Sequence, residues 1–96
     1  MRHAARVDGN QAEIVAALRQ VGAVVMDLHG VGGGVPDLSV EFRGKCFLVE
    51  VKSSQKARLT PAQVRRMGSW PGPVAVVWNV RGALEAIGLE VVGGTE

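Results

Sequence analysis

The sequence predicts an α/β fold in which a mixed central sheet is flanked by helices, with the elements in the order αβββαβα. Three observations predict it. Apolar residues near the N-terminus recur at helical spacing, the short runs AVVMDL, CFLVEV and VAVVW are typical of strands, and TPAQ is a strong helix start between the last two runs. With 96 residues we expect a single domain over residues 1–96, with a flexible N-terminus at 1–9 and a tail at 93–96.

The first helix is predicted to follow Asn10. Asn10 and Glu13 have the spacing of an N-cap and an N3 residue, and Gly22 is a typical helix end. Between them an apolar face repeats at the helical period, formed by Ile14, Ala17, Leu18 and Val21. Residues 23–28 are mostly apolar and β-branched, so they are predicted to form the first strand.

Residues 37–42 and 46–52 are predicted to form a β-hairpin. The first segment alternates polar and apolar residues, and Arg43-Gly44 supplies a two-residue turn. In the register of that turn Asp37 lies opposite Glu50, and one face is wholly apolar: Leu38, Val40, Phe42, Phe47, Val49 and Val51. The other face carries Asp37, Ser39, Glu41, Cys46, Leu48, Glu50 and Lys52. A slip by one residue would scatter the apolar set, so the pattern favours this register.

The second half of the chain is predicted to hold a helix, a strand and a short final helix. Thr60 is the expected N-cap, with Pro61 as the first helical residue and Gln63 at N3. This helix ends near residue 69, because the Pro-Gly-Pro segment at 71–73 cannot continue it. The remaining predicted elements are a buried strand at 74–78, a short helix at 81–87 and a frayed strand or tail at 90–92.

Composition and charge exclude several classes of protein. No apolar run approaches the roughly 20 residues of a membrane span, and MRHAARVDGN lacks the apolar stretch of a secretory signal. Cys46 is the only cysteine, which excludes an intrachain disulfide, and we interpret it as a packing residue. We therefore expect a soluble protein of a reducing cytoplasm, without contact with a membrane. The net charge of +2 is too small to indicate nucleic-acid binding by itself.

The segment GVGGGVPDL places four glycines among the five residues 30–34, which we call the glycine loop. It lacks the Lys and Ser/Thr of a Walker loop, and it enters a strand, whereas a dinucleotide-binding loop enters a helix. We therefore expect no nucleotide cofactor. The glycines permit positive φ angles and close approach of the backbone to a neighbour or a ligand, with a flexible connector between strands as the alternative. For His29, which borders the loop, a structural role is favoured over a phosphate contact.

Asp37, Glu50 and Lys52 form the most informative constellation. Directly opposed strand residues have Cβ atoms roughly 4.5–5.5 Å apart, so two carboxylates there repel each other unless a cation lies between them. Mg²⁺ fits such a place because it prefers oxygen ligands and often takes one or two carboxylates. Lys52 projects from the same face and can contact a metal-bound water and a phosphate, which suits phosphodiester hydrolysis. The alternative is a buried ion network of Lys52 with both carboxylates.

The segments GVPDL and EVK, with twelve residues between Asp37 and Glu50, resemble the PD-(D/E)xK nuclease superfamily. Together with NQAEIVAALRQVGA, the glycine loop, LTPAQ and GPVAVVWNVRGALEAIGL, they resemble more narrowly the VRR-Nuc family in its small, stand-alone form from phages and bacteria. The resemblance covers most of the chain. It implies a restriction-endonuclease-like core and a Mg²⁺-dependent DNA endonuclease, with Mn²⁺ as a substitute, that acts as a homodimer on branched or four-way-junction DNA.

The resemblance also implies a role for each matching residue. Asp37 and Glu50 would bind the divalent metal together with the backbone carbonyl of Val51, and Lys52 would position the nucleophilic water. Glu13 matches an acid on the family's first helix that binds the metal directly or through water, with capping as its alternative role.

Two further positions bear on the resemblance. Gln63 matches a glutamine that contacts metal-bound water or substrate, again with capping as the alternative. The arginine often found shortly before the Pro-Asp is absent, since Gly34 and Val35 stand there, so its DNA contact has no counterpart here.

The expected DNA contacts lie in a basic stretch and in the glycine loop: Lys56, Arg58, Arg65, Arg66 and Gly33. An ordinary solvated face is the alternative for the basic stretch. Two rival functions stay open, namely a catalytically silent nucleic-acid-binding module of the same fold and a structural or partner-binding protein of a phage particle.

Overall fold

The computed structural model of the chain describes residues 9–92. The predicted tail at 93–96 and all but one residue of the predicted flexible N-terminus lie outside that range. Seven elements follow one another in the predicted order αβββαβα: α1 (Gln11–Gln20), β1 (Val24–Asp27), β2 (Leu38–Phe42), β3 (Lys45–Val51), α2 (Pro61–Ser69), β4 (Val74–Val77) and α3 (Val80–Ala86). Residues 90–92, predicted as a frayed strand or tail, form neither helix nor strand.

The strands form one mixed sheet in the order β1-β2-β3-β4. β2 runs antiparallel to both β1 and β3, whereas β4 runs parallel to β3. The parallel pair needs a crossover connection, which α2 supplies. None of the helices in the described part of the chain combines the length and the apolar character that crossing a membrane requires.

The hairpin has the predicted register. Phe42 pairs with Lys45 and Leu38 with Val49, and the same register continued by one position would place Asp37 opposite Glu50. The turn residues Arg43 and Gly44 have φ angles of 51° and 82°. Positive φ at both positions matches the twist of the strands in a two-residue hairpin, and this turn fixes the register.

The core lies between the apolar face of the sheet and the helices α1 and α3. Ile14 and Leu18 of α1 are fully buried, as are the sheet residues Leu38, Val40 and Val49. Burying such apolar surface is the main stabilising contribution to a domain of this size. The other face of the sheet is partly covered: Leu48, predicted on the polar face, is nevertheless only 8% exposed.

The three helices begin in different ways. Thr60 caps α2 as predicted, because its hydroxyl accepts from the Gln63 N–H at 3.1 Å and the Gln63 side chain accepts from the Thr60 N–H at 2.9 Å. Asn79 caps α3 by accepting from the Gly82 N–H at 2.7 Å. Asn10 occupies the predicted N-cap position of α1, but its side chain makes no capping hydrogen bond and donates to carbonyl groups of the sheet instead.

Candidate active site

Asp37, Glu50 and Lys52 meet in a cavity at one end of the hairpin. The cavity has a volume of about 260 Å³ and lies between the strand ends, the glycine loop and the start of α2. Its lining consists of Leu28, His29, Gly30, Gly32, Gly34, Val35, Asp37, Glu50, Val51, Lys52, Thr60 and Gln63. The fold thus brings together Asp37, directly before β2, with Glu50 and Lys52 at the end of β3 and Gln63 of α2.

The two carboxyl groups share a buried position. Asp37 Oδ2 accepts a hydrogen bond from the Val51 N–H at 2.8 Å, and Glu50 is only 3% exposed. Burial raises the pKa of Glu50 from 4.5 to about 7. The negative charge of Asp37 and a hydrogen bond between the two carboxyl groups also raise this pKa, while the nearby Lys52 lowers it in part. Two acids that repel each other in this way favour a shared proton or a shared cation.

Lys52 lies beside Glu50 with its ammonium group largely enclosed. Its Nζ is 3.5 Å from Glu50 Oε2, and its side chain is 14% exposed. The Lys52 N–H donates to the Val77 carbonyl at 2.9 Å, so the residue stays aligned with β4 one position beyond the end of β3. The lysine and the carboxylates therefore face the same cavity from neighbouring backbone positions.

Gln63 connects these groups to α2. Its Nε2 donates to Glu50 Oε2 at 2.7 Å, and its Oε1 accepts from Lys52 Nζ at 3.0 Å. The same Oε1 accepts from the Thr60 N–H, which fixes the orientation of the amide. Of the two roles considered for Gln63, capping is therefore observed, and the contact with the charged residues exists beside it.

The donor atoms at this cavity fit a hard divalent cation. Glu50 Oε1 is buried and has no hydrogen-bond partner, which is costly for a carboxylate unless something cationic meets it. The Val51 carbonyl points to the same side as the Val51 N–H that Asp37 accepts from, because both groups of an extended residue face one neighbouring strand. Between residues 9 and 92 no group of three His, Cys, Asp or Glu side chains forms a metal site. Two carboxylates and one carbonyl remain, a set that suits Mg²⁺.

Comparison with known proteins supports the fold. No protein-family model matches the sequence, and no curated protein matches it significantly. A solved structure described as a VRR_NUC domain superposes with a TM-score of 0.65 at 25% sequence identity, over 81% of this chain and 94% of that chain. This similarity supports membership of the VRR-Nuc family. The chain has a nuclease fold, which in general implies DNA as the substrate and a divalent metal as the cofactor.

Glu13 is the predicted metal-binding side chain that does not line this cavity. It is exposed on the first turn of α1 and is absent from the cavity lining. The neighbouring Gln11 is buried, with an exposure of 4%, and its Oε1 has no hydrogen-bond partner. The metal-binding role of Glu13 stays a prediction.

The predicted DNA contacts fall into two groups. Arg65, Arg66 and Gly33 line a second cavity of about 360 Å³ with Ala62 and Ser69, and we call it the basic cavity. Arg66 Nε lies 3.5 Å from the Gly33 carbonyl oxygen. Lys56 and Arg58 are exposed in the loop before α2 and line neither cavity.

The glycine loop contributes residues to both cavities and packs against α2. Gly34 has a φ of 81°, and a Cβ atom at this position would overlap the carbonyl oxygen of Ala62. Gly33 faces the basic cavity, whereas Gly30, Gly32 and Gly34 face the site cavity. Of these glycines, Gly34 makes the predicted close approach of the backbone, and it makes it to a helix of the same chain.

Sequence reasoning missed two residues near the site. His29 lines the cavity, and its structural role stays a prediction. Asn10 donates hydrogen bonds to carbonyl groups at the ends of β3 and β4. No local signal distinguishes such an asparagine from a helix cap, because both stand directly before a helix.

Proposed function

We propose that this VRR-Nuc domain is a magnesium-dependent DNA endonuclease that hydrolyses phosphodiester bonds. The observation that carries the proposal is the buried Glu50, which lies close to the negative charge of Asp37 and to the ammonium group of Lys52 and whose Oε1 has no hydrogen-bond partner. A cation bound between the two carboxyl groups would replace the proton that they otherwise share.

Asp37, Glu50 and the Val51 carbonyl are the proposed metal ligands, and Mn²⁺ is expected to substitute for Mg²⁺. A metal held by these residues would supply polarisation of the scissile phosphate and would lower the pKa of a water bound to it. Glu13 is a further proposed ligand, either directly or through a water. The backbone N–H of Val51 holds Asp37 Oδ2 in place, so the second carboxylate oxygen of Asp37 is oriented by the strand itself.

Lys52 is proposed to orient the attacking water and to bind the charge of the phosphate. An ammonium group has three N–H donors and no acceptor, so it can hold a water by donation but cannot take its proton. Gln63 Oε1 and Glu50 Oε2 engage two of these donors at 3.0 and 3.5 Å, and the third is available to a water or a phosphate oxygen. Gln63 thereby fixes the direction in which Lys52 donates.

The DNA backbone is proposed to follow the glycine loop from the site cavity into the basic cavity. Arginine side chains recognise phosphate groups by paired hydrogen bonds and by charge. Arg65 and Arg66 would hold a phosphate next to the scissile one, with the Gly33 backbone beside it, and the exposed Lys56 and Arg58 would contact phosphates farther along the strand. Because a chain of 96 residues has little surface for a duplex, we propose a homodimer with two active sites that prefers branched or four-way-junction DNA.

The test is cleavage of plasmid, linear, flap and four-way-junction DNA with Mg²⁺ or Mn²⁺ by the wild type and by Asp37→Asn. The asparagine can still accept from the Val51 N–H but lacks the charge, so cleavage should fall by more than about a hundredfold, beyond the loss typical of residues that only support a ligand. Glu41→Gln is the matched control, because Glu41 is an exposed acid on the same face of β2. An inert wild type, or a fully active Asp37→Asn, would contradict the proposal. Sedimentation of the protein alone tests the dimer.

A further inference from the structure

The side chain of Asn10 joins three elements that are distant in sequence. Its Nδ2 donates to the Lys52 carbonyl at 3.0 Å and to the Trp78 carbonyl at 2.7 Å. These residues follow directly on the ends of β3 and β4, at separations of 42 and 68 positions from Asn10. The start of α1 is thus tied to the carboxyl ends of both parallel strands.

The orientation of the Asn10 amide follows from its partners. Both partners are backbone carbonyls, which only accept, so the NH₂ group must face them. Asn10 Oδ1 is buried and accepts no hydrogen bond, and α1 begins with a backbone bond alone, from the Ile14 N–H to the Asn10 carbonyl at 3.2 Å. Asn10 therefore contributes two donors to the strand ends and no acceptor to the helix.

We propose that Asn10 is a positioning residue that fixes the backbone of Lys52. The Lys52 N–H is bound to the Val77 carbonyl and its C=O to Asn10, so both polar backbone groups are held where β3 passes into the loop at 53–56. Without the bond from Asn10, the backbone of Lys52 keeps only the bond from its N–H to the Val77 carbonyl. The contacts of Lys52 Nζ with Glu50 and Gln63 depend on that anchor, and their importance rests on the proposed nuclease function.

The test uses Asn10→Asp. Aspartate has the same size and is an equally good N-cap, but it lacks both donors and sets a carboxylate against two carbonyl oxygens. We expect kcat for DNA cleavage to fall about tenfold or more, as for other residues that orient a functional group, while the Kd for DNA measured without catalytic metal stays within about twofold. The Lys52 N–H should exchange with solvent at least about tenfold faster relative to the Val49 N–H, which lies inside β3 and reports global unfolding.

Asn79→Asp is the matched control. Asn79 accepts from the Gly82 N–H, so aspartate preserves its capping bond, and kcat should stay at the wild-type value. If Asn10 were only a cap, the two variants would behave alike, and an unchanged kcat in folded Asn10→Asp overturns the proposal. Should Asn10→Asp fail to fold, Asn10→Ser decides, because a hydroxyl can donate to only one of the two carbonyls and is expected to lower kcat severalfold.

The exchange measurement separates this proposal from the proposed function. If the wild type cleaves none of the DNA substrates, the nuclease function is contradicted, and the exchange of the Lys52 N–H alone decides the role of Asn10. Unchanged exchange in Asn10→Asp overturns the proposal whatever the activity of the wild type.

Discussion

The side-chain amide of Gln63 donates to Glu50 Oε2 at 2.7 Å, which makes α2 a part of the candidate active site. The other end of the amide accepts from both Lys52 Nζ and the Thr60 N–H. One glutamine therefore begins a helix, orients a buried acid and directs an ammonium group. A displacement of α2 would disturb all three, so the position of the helix and the geometry of the site are coupled.

Gln63→Ala should lower activity more than it lowers stability. Loss of half of a capping box costs about 1 kcal/mol of unfolding free energy, whereas loss of a residue that orients functional groups typically lowers activity about 10–100-fold. The measurements are kcat for DNA cleavage and urea unfolding. Thr60→Ala is the control, because it removes the other half of the capping box and leaves the contacts with Glu50 and Lys52. An equal loss of kcat in both variants would show that fraying of α2 is the cause.

The stability of the metal-free protein should fall as the pH rises from 4.5 towards 7. Over that range folded Glu50 keeps a proton that the unfolded chain releases, because its pKa is raised from 4.5 to about 7. This contribution to the free energy of unfolding is on the order of 3 kcal/mol. It is fully present below pH 4.5 and is lost as the pH rises through the pKa of folded Glu50, about 7. Urea unfolding in EDTA at several pH values measures it. Glu50→Gln should lack this part of the pH dependence, and identical profiles of both proteins would contradict the prediction.

The affinity for Mg²⁺ should rise over the same pH range. The metal binds the carboxylate form of Glu50, so each cation displaces the proton that Glu50 holds below pH 7. The association constant is expected to increase up to about tenfold per pH unit below the pKa and to level off above it. Calorimetric titration between pH 5.5 and 8.5 measures the association constant. An affinity for Mg²⁺ that does not change with pH would show that the metal displaces no proton from Glu50.

The hairpin shows what local pattern can predict. Alternating residues on both strands and the Arg43-Gly44 turn define the register, and the register alone sets Asp37 against Glu50. The cap of α2 is equally local, since Thr60 and Gln63 are three positions apart. Such features follow from chemistry within a few residues.

Contacts between distant segments could not be predicted in this way. Asn10 has the sequence context of a cap, yet two carbonyls far along the chain engage its donors. The glycine loop was predicted to approach a neighbour or a ligand, but nothing in the sequence names α2 as the neighbour of Gly34. In both cases the tertiary arrangement decides among roles that the residue type leaves open.

Arg65→Ala and Arg66→Ala should each weaken DNA binding in a salt-dependent way. Each phosphate contact contributes a slope of about one in a plot of log K against log salt concentration, so each variant should lower the slope by about one. The Arg66 bond to the Gly33 carbonyl is long, at 3.5 Å, so little stability depends on it. Lys45→Ala, at the hairpin turn at the other end of β3, is the control and should keep the slope. Unchanged slopes in both arginine variants would exclude the basic cavity as a phosphate site.

Gly34→Ala should impair both stability and activity, whereas Gly32→Ala should impair stability alone. Both glycines have a φ of 81°, so alanine meets the same backbone strain of about 1–2 kcal/mol at either position. Only at Gly34 would the new Cβ meet the carbonyl of Ala62, while at Gly32 nothing lies within 4 Å. The overlap must push the glycine loop and α2 apart, which draws Gln63 away from Glu50 and Lys52. Urea unfolding and kcat of both variants measure the two effects, and an equal loss of kcat would mean that loop strain, not the position of α2, controls activity.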